Sequence, residues 1–196
     1  MEHKAYIFDS ELFELKLKNL ILECIINNDI KKLRGFINNN IKDMKSPYDG
    51  ESLKQNWENQ IEIGNVQEYS DFVITCCYSP NNDIGLSYSW DSLLENLTQL
   101  KLQFKCSYYI LGKEVKQGRF VLNPGGYGLG IVCCKDISSI LSELMKLKSK
   151  FFDQIELGFN NGIYTLTKDE LEEAYNDLIL IYRTAFQNNK GILFTF

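Results

Sequence analysis

The chain has 196 residues, 44% of them hydrophobic and 24% charged, which is enough for one substantial core and argues against disorder. Its 26 acidic residues outnumber 21 basic ones, for a formal charge of −5, a balance that repels a phosphate backbone unless a local basic patch overcomes it. The basic runs at 16–18, 31–34 and 146–150 fall in helical patterns and read as solvated faces, so no nucleic-acid partner is expected. The N-terminus lacks the apolar stretch and small-residue cleavage site of a signal peptide, and no apolar run reaches the length of a membrane span. The expected location is cytoplasmic, with no membrane partner and with the six Cys reduced.

The first organised unit is a helix over 10–26. Leu12, Leu15, Leu20, Ile21, Cys24 and Ile25 follow a helical period, and Asp9 or Ser10 can cap it. A shorter helix over 29–38 turns Leu33, Phe36 and Ile37 inward. Lys45-Ser-Pro-Tyr-Asp-Gly50 is a turn, since Pro fixes one dihedral and Asp-Gly favours reversal. It reads as a surface connection within a single domain. A weak helix over 52–60 is centred on Leu53 and Trp57.

Phe72-Val-Ile-Thr-Cys-Cys-Tyr78 has the β-branched and aromatic content of a buried strand. Helical spacing resumes at Trp90, Leu93, Leu94, Leu97 and Leu100. Residues 107–111, 119–122 and 129–134 are further strand candidates. Ile137, Ile140, Leu141, Leu144 and Leu147 mark another amphipathic helix, with Phe151 and Phe152 after it. In the last helix, Thr167 and Glu170 have the spacing of a capping box, and Leu171, Ala174, Tyr175, Leu178, Tyr182, Ala185 and Phe186 form its apolar stripe. Residues 192–196 are almost wholly apolar and predict a terminal strand buried in the sheet. Helices and strands without a regular strand–helix repeat indicate an α+β fold: one domain, with a small mixed or antiparallel sheet packed against several helices.

Chemistry-bearing patterns are sparse. Cys76-Cys77 and Cys133-Cys134 offer four sulfurs, but neighbouring residues of a strand point to opposite faces, so at most one Cys of each pair faces a common site. No metal and no cofactor is expected, and the thiols read as small buried hydrophobes. His3 is the only His, which leaves the Ser-His-acid and Cys-His arrangements without a base unless the N-terminus enters a cleft. Glu172 and Glu173 lie on a polar helix side. Asn123-Pro-Gly-Gly-Tyr-Gly-Leu-Gly130 is the most unusual local feature, yet it lacks the dinucleotide spacing and precedes a strand where such a loop must open a helix. A structural turn is the first reading, with glycine permitting close approach, and a ligand-facing loop the second. In that second reading the pocket lies where the 125–130 loop meets the start of the Trp90 helix. Gly126 and Gly128 would expose backbone N–H groups, Tyr127 and Trp90 would supply aromatic faces, and Arg119 a charge.

Ser87-Tyr-Ser-Trp-Asp-Ser-Leu-Leu94, Ile110-Leu-Gly-Lys-Glu114, Gly125-Gly-Tyr-Gly-Leu-Gly130 followed by Asp136-Ile137, and Tyr182-Arg-Thr-Ala185 with Lys190-Gly-Ile-Leu193 occur in an order that resembles the bacterial DUF1877 (YfbM-like) family. The likeness spans residues 85–196; residues 1–80 match poorly. It implies a compact cytosolic α+β protein of uncharacterised biochemistry, with some relatives beside polymorphic toxin systems. Where the family often has Pro and then Arg before the strand, Leu129 and Ile131 stand here, so a polar site around that Arg does not carry over. The resulting expectation is a non-catalytic binding protein, an immunity protein with a toxin as partner being one form. The alternative is a small-molecule enzyme or sensor with a pocket near residues 125–130.

Overall fold

A computed structural model describes residues 1–122, 128–155 and 166–196. Its first and last strands lie side by side in one sheet, the first at the edge and the last next to it. Strand β1 (Lys4–Phe8) pairs antiparallel with β6 (Gly191–Thr195), Lys4 opposite Thr195 and Phe8 opposite Gly191. On its other side β6 pairs with β5 (Leu129–Val132), which in turn pairs with β2 (Lys113–Glu114); the order is β1-β6-β5-β2 and every pairing is antiparallel. A separate two-stranded hairpin joins β3 (Lys116–Gln117) to β4 (Phe120–Val121) through Gly118 and Arg119.

Because strand side chains alternate between faces, the three long strands divide their apolar residues between two cores. Ala5, Val132, Ile192 and Phe194 are buried on one side, and Tyr6, Phe8, Leu129, Ile131 and Leu193 on the other. The first core is closed by α5 (Trp90–Leu97), α6 (Cys106–Leu111), α7 (Cys134–Ile155) and α8 (Lys168–Gln187). The second is closed by α1 (Ser10–Leu12), a π-helical turn (Phe13–Leu17), α2 (Lys18–Asn27), α3 (Ile30–Asn40) and α4 (Val66–Ile74). The protein is therefore α+β, its antiparallel sheet lying between two helical layers.

Most helices form where the apolar period places them. Thr167 and Glu170 make the capping box of α8, and Leu171, Ala174, Tyr175, Leu178, Tyr182 and Ala185 are buried, while Phe186 is 54% exposed. Helix α7 continues through Phe151 and Phe152 instead of stopping before them, and Phe151 stacks on Tyr175 at 4.3 Å between centroids. The N-terminal helix contains a π turn at Phe13–Leu17, and its core face follows four-residue steps that leave Leu15, two residues from both Phe13 and Leu17, on the opposite side. Phe13, Leu17 and Ile21 face the core and Leu15, expected inside, is 82% exposed. The weak helix over 52–60 reduces to a 3-10 turn, Trp57–Gln60.

Two expected strands are helical. Residues 72–78 form the end of α4 and a 3-10 turn, Thr75–Cys77. Asn65 caps α4 by accepting the Gln67 N–H, and Val66, Tyr69, Ser70 and Val73 are all buried at helical spacing. A short apolar run buried on most sides has no period that separates strand from helix. Residues 107–111 lie in α6, which ends at Gly112 with φ +68°. The strand-geometry argument falls for both Cys pairs, since Cys76 and Cys77 lie in the 3-10 turn, and the strand expected over 129–134 ends at Val132 with Cys134 opening a helix. Conversely, β1 forms in the N-terminal segment, where the sequence predicts no element.

The fold requires glycine at position 130. A Cβ there would lie 1.8 Å from the Leu111 carbonyl oxygen, because β5 passes directly against the end of α6.

Candidate functional site

His3, the one His, is fully buried and holds two backbone groups. Its Nε2 lies 2.7 Å from the Ile110 carbonyl oxygen and its Nδ1 3.1 Å from the Leu86 nitrogen. A carbonyl only accepts and an amide N–H only donates, so the ring is the neutral Nε2–H tautomer. Burial lowers its pKa from 6.5 to about 4, outweighing the Ile110 carbonyl and the Asp83 carboxylate, which act the other way. His3 is a structural tie between β1, α6 and residue 86.

The sheet ends at β2, and a cleft opens beside it. This space of about 920 Å3 lies between β2, the N-terminal helix and the start of α7. Ser10 joins two of these walls, since its Oγ accepts the Cys134 N–H at 2.9 Å and so caps the first turn of α7. An ion pair between Lys190 and Asp9 holds the same corner and draws the Asp9 pKa down, although burial alone would raise it. Buried Val115 and Ile131 form part of the apolar lining, and the π turn presents exposed Leu15 to the same space.

Charges of both signs line the cleft. Lys18 pairs with Glu14 at 2.8 Å and Lys116 with Glu114 at 3.1 Å. Lys113 and Lys135 make no ion pair among the described residues. Cys133 and Cys134 also line it, but burial pushes both thiols up, helped by Glu14 at Cys133 and by Glu11 at Cys134. They stay protonated at neutral pH, which does not suit nucleophilic attack. Among the described residues no three His, Cys, Asp or Glu side chains are grouped to hold a metal ion.

The residues singled out around the glycine loop separate into three groups. Gly126 and Tyr127 lie outside the described residues. Gly128 (φ +96°) approaches Phe196, whose ring packs edge-on against Trp90 at 5.3 Å; Trp90 itself is half-buried and donates its indole N–H to the Met1 carbonyl at 3.0 Å. Arg119 is exposed at the tip of the β3–β4 hairpin. A second space, about 640 Å3, adjoins Gly128 and is lined by Lys105, Ser107, Gly112, Lys113 and Phe196 among others, without Trp90 or Arg119.

A further titratable group sits on α4. Burial, with Glu68 nearby, pushes Asp71 up to about 7. It lies within electrostatic reach of Tyr6, Tyr48 and Tyr78, and the rings of Tyr6 and Tyr78 are 4.8 Å apart.

The cleft beside β2 is not legible in the sequence because its parts are dispersed over residues 10–18, 113–116 and 131–135. Leu15 is the one local signal, and its place in an apolar period assigns it to the core. Among the described residues no helix is long and apolar enough to cross a membrane. No family model matches the chain, and neither does any curated protein or solved structure.

Proposed function

We propose that this chain is a non-catalytic binding protein that receives part of a protein partner in the cleft beside β2. The observation that carries the reading is Leu15, a large apolar side chain 82% exposed at a cleft with apolar lining and a rim of mixed charge. An apolar centre with a polar rim is the general composition of a protein interface. The groups best suited to chemistry are otherwise engaged: His3 is buried in backbone hydrogen bonds, Ser10 caps α7, and the two thiols are protonated. Immunity against a toxin, as the DUF1877 resemblance implies, is a biological form of this reading. A chain charge of −5 would speed the approach of a basic partner, whereas Lys113 and Lys135 would select an acidic segment of it at the cleft.

The space beside Gly128 favours a second reading, a small-molecule sensor, because Lys105 and Ser107 stand there with the Phe196 ring. Affinity capture from the native cell, with native mass spectrometry, tests both. Leu15→Asp/Lys135→Glu should keep the fold and lose a protein partner held by wild type. Unchanged partners for that variant would remove the cleft, and a small molecule lost only with Lys105→Glu would establish the second reading in its place.

A further inference from the structure

The outer face of α8 carries a symmetric arrangement of side chains. Leu180 is 56% exposed at its centre. Asp177 stands three residues before it and Arg183 three after; Asn176 and Thr184 stand four before and four after. Asp177 and Arg183 are both exposed and make no ion pair among the described residues. Beside Leu180 a groove of about 380 Å3 runs between α7 and α8, where Met145, 53% exposed, faces Ile179, and Lys148 adds a second cation.

We infer that this face is the interface of a two-fold homodimer in which α8 of one copy crosses α8 of the other antiparallel at Leu180. In an isologous contact, whatever residue i of one copy meets in the other, the reverse contact is made as well. An antiparallel crossing sets each residue before Leu180 at the height of the residue equally far after it in the second copy. With a rise of about 1.5 Å per residue, Asp177 and Arg183 lie about 4.5 Å on either side of the crossing point. Arg183 of each copy then reaches Asp177 of the other, Asn176 lies level with Thr184, and Leu180 of each copy enters the other's groove beside Met145. A parallel crossing would instead set Asp177 against Asp177 and Arg183 against Arg183. The pattern is complementary to itself, which is why the occupant is a second copy of this chain. Each copy contributes Lys148 and Arg183 against Asp177 and Glu173, so the interface is locally neutral although each chain carries −5.

Sedimentation velocity and light scattering across a concentration series test the dimer, with circular dichroism melts as the folding control. Wild type should pass from monomer to dimer as concentration rises, and Leu180→Asp should remain monomeric with its melting transition unchanged. Asp177→Arg alone should weaken association about tenfold, because it sets like charges together. Adding Arg183→Asp to the same chain should restore it, since the reversed pair is again complementary. A wild-type monomer throughout, a dimer that survives Leu180→Asp, or a double variant as weak as the single one would each overturn the inference. Each of these results leaves the reading of the cleft beside β2 intact, because none of the substituted residues lines it.

Discussion

Acidification should destabilise this protein through His3. The ring is fully buried, its Nδ1 faces the Leu86 N–H, and Phe194 and Phe196 pack against it at 5.0 and 5.3 Å. A proton added at Nδ1 would confront that N–H in a site closed to bulk solvent. Unfolded His3 titrates near 6.5 and folded His3 at about 4. Above pH 6.5 both states are neutral and the group has no effect. Between pH 6.5 and 4 the unfolded chain takes up a proton that the folded one refuses, so stability falls with pH and levels off below 4. At about 1.4 kcal/mol per pH unit of difference, the loss is about 3 kcal/mol, a large part of the roughly 5–15 kcal/mol that holds a domain together. Asp71, raised to about 7, acts with the opposite sign in the same range, so the measurement must be differential. His3→Gln can still offer an amide N–H to Ile110 but leaves the Leu86 N–H unpaired, at a cost of about 1–3 kcal/mol at neutral pH. Urea unfolding at a series of pH values should show this gap closing by about 3 kcal/mol between pH 7 and 4. As the only His, residue 3 also gives a single imidazole titration by NMR. A gap independent of pH, or a folded-state titration between 6 and 7, would refute the argument.

Asp71→Asn should stabilise the protein above pH 7 by about 2–4 kcal/mol, because a carboxyl raised to about 7 when folded penalises the folded state once it ionises. The gain should vanish below pH 4, where the carboxyl is neutral in both states; the same gain at all pH values would show that ionisation is not its cause. The same substitution at two glycines should have opposite signs. Gly130→Ala sets a methyl against the Leu111 carbonyl and should cost about 3 kcal/mol, whereas Gly35→Ala, in open space on α3, should add up to about 1 kcal/mol. Thermal midpoints read both, and a neutral Gly130→Ala would mean that β5 does not pass so close to α6.

The sequence determined the α+β class, the long helices and the terminal strand, because these elements are encoded locally. The α8 capping box and its stripe, the inward face of α7 and the apolar run at 192–194 each show a period or a content that one packing arrangement satisfies. Residues 72–78 and 107–111 were not decidable in this way, since runs that short and that fully apolar suit a strand and a buried helix equally; their packing in α4 and α6 decides it. Strand β1 has no period of its own to announce it, and its place depends on pairing with residues nearly the whole chain away. The candidate site is a tertiary product for the same reason. Leu15 fits an apolar spacing with Leu12, but Phe13, Leu17 and Ile21 take the core face, and Leu15, two residues from both Phe13 and Leu17, is left outward at the cleft it shares with residues 113–116 and 131–135. The close approach at Gly130 was foreseeable as a use of glycine, but its cause, the Leu111 carbonyl, lies on another element. Local composition specifies which segments become helix or strand, whereas a cleft, a buried imidazole and a forbidden methyl arise from contacts between segments far apart in the chain.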